Sequence, residues 1–297
     1  MRNRLIVILG PTGIGKSRLA MDLAEQFKTE IISADSRQFY QEMTIGTAVP
    51  PESDLKRIRH HFIKHISVNT YYSASLFEED AITRLNKLFQ SYNNIIMAGG
   101  SGLYIDAVCG SIDEIPDVDP EIRKHYLEKY DREGITSLRT ELKMLDPDYY
   151  ARTDIRNYKR ILRALEIYGS TGKPYSSFLK NKGKHRDFDI IKVGLKQERE
   201  ELYKRIDLRV DRMVEDGLVE EARSLYHLSH LNALNTVGYK ELFSYFDGKI
   251  TFDKAIELIK RNSRRYAKRQ ITWWARDKSI KWFNIDKLEG IMEYLEA

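Results

Sequence analysis

Cysteine is almost absent from this chain of 297 residues: Cys109 is the only one. A single thiol excludes an internal disulfide framework and any cysteine-rich zinc site, and suits a reducing compartment, with the cytoplasm as the default. Long apolar runs are missing too. The longest span about five residues, against the roughly 18 to 20 needed to cross a bilayer, so no membrane span is expected. The opening MRNRLIVIL has the charge order of a secretory signal, but its apolar part is short and ends in Gly10-Pro11 ahead of Lys16, so it reads as a buried strand. Internal repeats and low-complexity segments are also lacking. Charge of one sign is only mildly in excess: 49 Lys and Arg against 44 Asp and Glu give +5. That balance is compatible with a polyanionic partner and does not require one.

The chain is long enough for one large domain or a core carrying an insertion. Apolar runs at 5–9, 30–34 and 94–98 read as strands, with helical patterns at 16–27 and 73–92 between them. This alternation predicts an α/β fold, a parallel sheet flanked by helices, whose strands are solidly apolar because both faces are covered. From about 117 the texture becomes helical, with Gly134 and Gly172-Lys173-Pro174 as stops. The expected organisation is a core of 1–115 and 186–297 and an all-helical insertion of 116–185. Residues 188–195 return to strand-like alternation, 198–227 read as one long amphipathic helix, 252–276 as another, and 280–285 as strand-like. The stretch SFLKNKGKHRD is the expected surface loop.

The strongest motif is Gly10-Pro11-Thr12-Gly13-Ile14-Gly15-Lys16-Ser17, a G-x-x-x-x-G-K-[ST] loop between a strand and a helix. Backbone N–H groups of 13–17 form an anion nest, the helix start adds its positive end, Lys16 supplies charge, and the Ser17 hydroxyl suits Mg²⁺. A hydrolytic enzyme of this P-loop NTPase-like type usually carries a metal-holding acid at the end of a later strand. Here NNIIMAGGSGLYI ends without one. The strand of EIISADSRQ instead delivers Asp35, and strand ends of an open parallel sheet bring Asp35, Ser101 and the loop together. The same carboxylate could merely cap the strand or sit behind a metal. A P-loop kinase would use the same loop for ATP with Asp35 as base, although no lid or nucleoside signature is present. An NTP-gated RNA-binding protein would explain the loop and the basic faces but gives Asp35 no task.

Basic residues cluster twice. Lys159, Arg160 and Arg163 share one helical face, and Lys260, Arg261, Arg264, Arg265, Lys268 and Arg269 form a run interleaved with Tyr266, Trp273 and Trp274. Either cluster reads as a solvated face or as a track for RNA phosphates; the aromatics read mainly as core. Arg205 and Arg209, four apart, either close over a phosphate group or are ordinary surface arginines.

SADSRQFYQEMTIGTAVP together with GGSGLYIDAV resembles the tRNA dimethylallyltransferases, also called tRNA isopentenyltransferases, as do DPEIR, KRILRALEIYGSTGKP, GLVEEARSL, TVGYKE and AKRQITWW in order along nearly the whole chain. The resemblance implies transfer of a dimethylallyl group from dimethylallyl diphosphate to N6 of the adenine just 3′ of the anticodon, position 37, in tRNAs reading codons that begin with U. It implies catalytic Asp35, Ser101 and Lys16, with Asp35 as general base, Gly10 to Ser17 and Mg²⁺ holding the leaving diphosphate, and Arg163, Arg205 and Arg209 able to reach it. Asp35, Ser36, Arg37, Gln38, Ser101, Arg123 and Lys159, Arg160, Ile161, Leu162 and Arg163 are implied to meet the tRNA anticodon stem-loop. No obligate protein partner is implied, and a monomer is expected. Two positions depart from the family: Ser101 stands where Thr is usual, keeping the hydroxyl, and HHFIKH carries Lys64 where an acid is common. A relative that prenylates free adenine nucleotides would lack the reason for so extended a basic surface.

Overall fold

In a computed structural model, residues 2–116, 118–180, 183–285 and 289–296 are described; Asn181 and Lys182 of the expected surface loop, and Asp117 at the expected start of the helical segment, lie outside them. The elements of the first segment are β1 (Arg4–Leu9), α1 (Lys16–Gln26), β2 (Ile31–Ser33), α2 (Glu52–Arg57), β3 (His60–His61), α3 (Ala74–Leu88), β4 (Asn94–Ala98) and α4 (Gly102–Val108). Then come α5 (Pro120–Leu145), α6 (Pro147–Arg152) and α7 (Tyr158–Thr171). The last segment holds β5 (Asp189–Lys196), α8 (Arg199–Glu215), α9 (Leu218–Ser224), α10 (Tyr239–Phe246), α11 (Phe252–Trp274), β6 (Lys281–Asn284) and α12 (Glu289–Glu296). Contacts divide the chain into two units, Met1–Cys109 with Arg186–Ala297, and Gly110–His185.

The first unit is a six-stranded, wholly parallel sheet in the order β3-β2-β4-β1-β5-β6. Side chains alternate across a strand, so β1 feeds two cores at once. Leu5, Val7 and Leu9 pack with Phe77, Leu85 and Ile105 on one face. Ile6 and Ile8 pack with Leu19, Leu23 and Ile206 on the other. This is why the strand is apolar at every position from Leu5 to Leu9. The strand order also sets the site: the loops that follow β2, β4 and β1 emerge side by side at the carboxyl edge.

One expectation fails in the last segment. The predicted helix over 198–227 is two helices, because Gly217 adopts a left-handed conformation (φ 101°) after α8 ends at Glu215. Glycine carries no Cβ penalty there, and the redirected α9 buries Leu218 and Ala222 beside Tyr239 and Leu242. In the second unit both expected stops are found: Gly134 (φ 72°, ψ −177°) breaks the helical backbone of α5, which is two helices joined at a kink there, and Gly172 (φ 69°) closes α7. The second unit is helical throughout its described elements, around Tyr126, Leu138, Leu142, Ile161 and Leu165.

Candidate active site

The phosphate loop leaves β1 at Leu9 and enters α1 at Lys16. Gly10 (φ 146°) passes so close to the next strand that a Cβ would lie 2.9 Å from the Leu195 carbonyl oxygen, and Gly15 (φ 106°) caps α1 without a side chain. Ile14 is wholly buried and anchors the loop to the core. Lys16 Nζ donates to the Gly10 and Pro11 carbonyl oxygens at 2.8 and 2.9 Å. Burial pulls the Lys16 ammonium down to about 7; nearby Asp35 opposes the shift and Arg209 adds to it. An anion in the loop would restore the charge.

Asp35 and Ser101 come from the neighbouring loops. Asp35 stands two residues beyond β2 and accepts from the Arg37 N–H at 3.1 Å. Ser101 is the N-cap of α4 and is 8% exposed; its hydroxyl accepts from Ser36 N at 2.9 Å and donates to Ser36 Oγ at 2.9 Å. The hydroxyl of Ser101, implied to be catalytic, thus ties the loop after β4 to the loop after β2. Gln38, implied to meet the tRNA, donates from Nε2 to Thr47 O and Ala48 O at 3.2 and 2.9 Å and accepts from Ser33 Oγ at 3.1 Å. Its amide holds the 47–48 segment in place.

Helix α8 closes the phosphate loop from the far side. Arg209 Nη1 donates to Thr12 Oγ1 at 3.1 Å, and burial lowers the Arg209 guanidinium against the pull of Asp35. Arg205, one turn earlier, donates to Gln197 at 3.4 Å and lies beside Gly15. Two cavities meet at these residues. One of about 270 Å³ is walled by Gly13, Lys16, Ser17, Ile31, Ala98 and Arg205; the other, about 310 Å³, by Arg37, Val210, Asn235, Thr236, Tyr266 and Arg269. Thr12, Asp35 and Arg209 line both. Asp35 therefore lines both the chamber beside the Gly10–Ser17 loop and a separate, partly apolar chamber.

The IPP transferase family model matches residues 38–277. The chain belongs to the IPP transferase family. A tRNA dimethylallyltransferase of Phocaeicola vulgatus is 50% identical over 297 residues, covering 100% of this chain and 99% of that protein. That of Christiangramia forsetii is 52% identical, again covering 100% and 99%. Among solved structures, a tRNA isopentenylpyrophosphate transferase of Bacillus halodurans is 33% identical with a TM-score of 0.72, covering 99% of this chain and 96% of that one. A eukaryotic dimethylallyltransferase acting on tRNA reaches a TM-score of 0.82 at 26% identity, covering 99% and 77%.

The basic positions of this IPP transferase are placed less uniformly than their spacing suggests. Lys159 and Arg160 are exposed on the first turn of α7 and Arg163 is half-buried. Ile161 and Leu162, implied to meet tRNA, are 0% and 4% exposed, so their side chains belong to the core of their unit. Arg123 lies 4.0 Å from buried Glu166. In α11, Arg264 is bound by both oxygens of Asp207 and Lys260 pairs with Asp211, both on α8. Those two cations lock helices together and leave Arg265, Lys268 and Arg269 as the exposed part of the run.

Three residues of the site escape a reading by motif. Tyr266, expected in the core, is half-buried, lines the second cavity and donates to Gly100 O at 3.3 Å. Glu221 accepts from the N–H groups of Thr44, Ile45 and Gly46 and from the Tyr239 hydroxyl at 2.6–2.9 Å, shaping the turn that borders that cavity. Gln270 links the phosphate loop to Gly100. Helical spacing offered the one available signal: 266 and 270 share the face of α11 that meets the loop after β4.

The segment HHFIKH also finds a place. His60 and Ile63 border the phosphate chamber, His61 bonds Glu30 at 2.6 Å, and Lys64 donates to Thr44 Oγ1 at 2.9 Å.

Proposed function

We propose that this tRNA dimethylallyltransferase takes its prenyl group from dimethylallyl diphosphate and places it on N6 of the adenine 3′ of the anticodon, in tRNAs reading codons that begin with U. The observation that carries the reading is the meeting of two chambers at Asp35. The chamber at the phosphate loop suits the donor, because anion nest, Lys16, Arg205 and Arg209 surround a space whose remaining wall includes Ile31 and Ala98. The other chamber suits an adenine drawn out of its loop, since an enzyme acting on a base edge must extrude the nucleotide, and Tyr266 and Val210 offer flat and apolar surface there.

In the transfer, the N6 lone pair attacks the allylic carbon, the carbon–oxygen bond to diphosphate breaks, and Asp35 takes the proton the amine must lose. The diphosphate departs into preorganised donors that need no rearrangement as its charge develops. Arg209 bonds Thr12 of the loop and lines both chambers, so it can follow that charge.

The donor set fits Mg²⁺ held jointly with the diphosphate. Ser17 lines the donor chamber, and among the described residues no group of three or more His, Cys, Asp or Glu could hold an ion without substrate oxygens. Ser17 would hold the ion, which when bound neutralises part of the leaving group's charge. The exposed Lys159 and Arg160, on a helix start whose positive end disfavours cations, gain most from nearby phosphates, which supports a tRNA contact by the insertion. Among the described residues no helix is long and apolar enough to cross a membrane; a cytoplasmic monomer is part of the proposal.

The test incubates the protein with Mg²⁺, dimethylallyl diphosphate and unmodified tRNA bearing an adenine after the anticodon, then digests the RNA for nucleoside mass analysis. N6-(dimethylallyl)adenosine is expected. Its absence, or prenylation of free adenine nucleotides alone, rejects the reading.

A further inference from the structure

Gln270 is 5% exposed on α11, and the two ends of its amide reach different loops. Oε1 accepts from Thr12 N at 2.7 Å, and Nε2 donates to Gly100 O at 2.8 Å. The orientation is forced, because a backbone N–H can only donate and a carbonyl only accept, so the flipped amide would satisfy neither. Thr12 belongs to the phosphate loop after β1, Gly100 to the loop after β4. From Gly100 the path continues: Ser101 N donates to Ala34 O at 3.2 Å, and the Ser101 hydroxyl bonds Ser36, next to Asp35. The fit is close. A Cβ on Gly100 would stand 2.5 Å from Gln270 Nε2.

We propose that Gln270 is a positioning residue, a strut that fixes the separation between the loop gripping the diphosphate and the loop carrying Asp35. The inference rests on the assignment of donor and acceptor sides made above. A displacement needs nucleophile, carbon and leaving oxygen in line, and a misplacement of about 1 Å can cost on the order of 100-fold in rate. The neutral amide supplies a donor at one end and an acceptor at the other. An ionised glutamate only accepts, methionine has no donor and only a weakly accepting sulfur, and asparagine is one methylene short.

The experiment compares Gln270→Met and Gln270→Glu with the full wild-type chain, using tRNA, dimethylallyl diphosphate and Mg²⁺. Both variants are expected to lose about 30- to 100-fold in kcat, with both KM values within about threefold. The glutamate variant carries a distinguishing mark. When protonated, its carboxyl again donates to Gly100 O while accepting from Thr12 N, so its kcat relative to wild type should rise at least about tenfold from pH 8.5 to 5.5. A packing role alone leaves that ratio flat.

A folded Gln270→Met with kcat within twofold of wild type, or a flat ratio for Gln270→Glu, overturns the strut. Should Gln270→Met fail to fold, Gly100→Ala perturbs the same contact from its other end; a large kcat loss at unchanged KM supports the proposal, and unchanged kcat rejects it. Failure of the wild type itself to prenylate tRNA rejects the underlying assignment instead.

Discussion

Donor binding should draw a proton onto Lys16. Burial holds the ammonium near a pKa of about 7 in the free protein, so at pH 8 about nine molecules in ten carry it neutral and at pH 6 about one in ten. A diphosphate in the loop favours the charged form and raises the pKa again. Binding at pH 8 therefore takes up about 0.9 proton through this residue and at pH 6 about 0.1. The sign follows from the lowered value: affinity is full below about 7 and falls as pH rises through it, by close to tenfold per unit. Calorimetric titration with inorganic diphosphate and Mg²⁺, in two buffers of different ionisation heat, counts the protons. The ligand's own titration is removed by subtracting Lys16→Arg, whose guanidinium stays charged throughout. A wild-type excess near 0.8 proton on going from pH 6 to pH 8 is expected; an excess below about 0.2 refutes the reasoning.

Asp35→Asn keeps the size of the side chain and removes its basicity, so kcat should fall by about 10²- to 10⁴-fold with tRNA binding nearly unchanged; single-turnover transfer and filter binding separate the two. Glu221→Ala strands three backbone N–H groups and the Tyr239 hydroxyl. A loss of about 2–4 kcal/mol is expected by urea denaturation, with Glu221→Gln milder. Binding of tRNA should weaken steeply between 50 and 200 mM salt, and Lys159→Ala should lower the slope of log K against log salt by about one; an unchanged slope removes Lys159 from the phosphate contacts.

Much of the fold was legible because its signals are local. The run Leu5 to Leu9 needs both of its faces covered, so it reads as a central parallel strand before any partner is known. The loop from Gly10 to Ser17 declares itself through glycines whose φ values no other residue adopts freely. Gly217 was legible only in part. An interior glycine in an amphipathic run is usually tolerated, and what turns this one into a break is the apolar cluster awaiting Leu218 and Ala222.

The less legible part of the site is the part made of long-range pairs. Strand order places the loops after β2, β4 and β1 next to one another, and that order is a property of the whole sheet. Once they are neighbours, each adjacent pair has to be spaced by something that spans it: Ser101 to Ser36 on one side, Gln270 to Thr12 and Gly100 on the other. Nothing in AKRQITWW marks its glutamine as facing residue 12, a separation of 258 positions. Its chemistry follows from the gap it fills. A phosphate loop holding only a departing group could sit anywhere along the sheet edge; under the proposed transfer the loop must hold that group in line with an incoming amine, which calls for a fixed distance to the proposed base, and a buried amide bonded at both ends is suited to supply one.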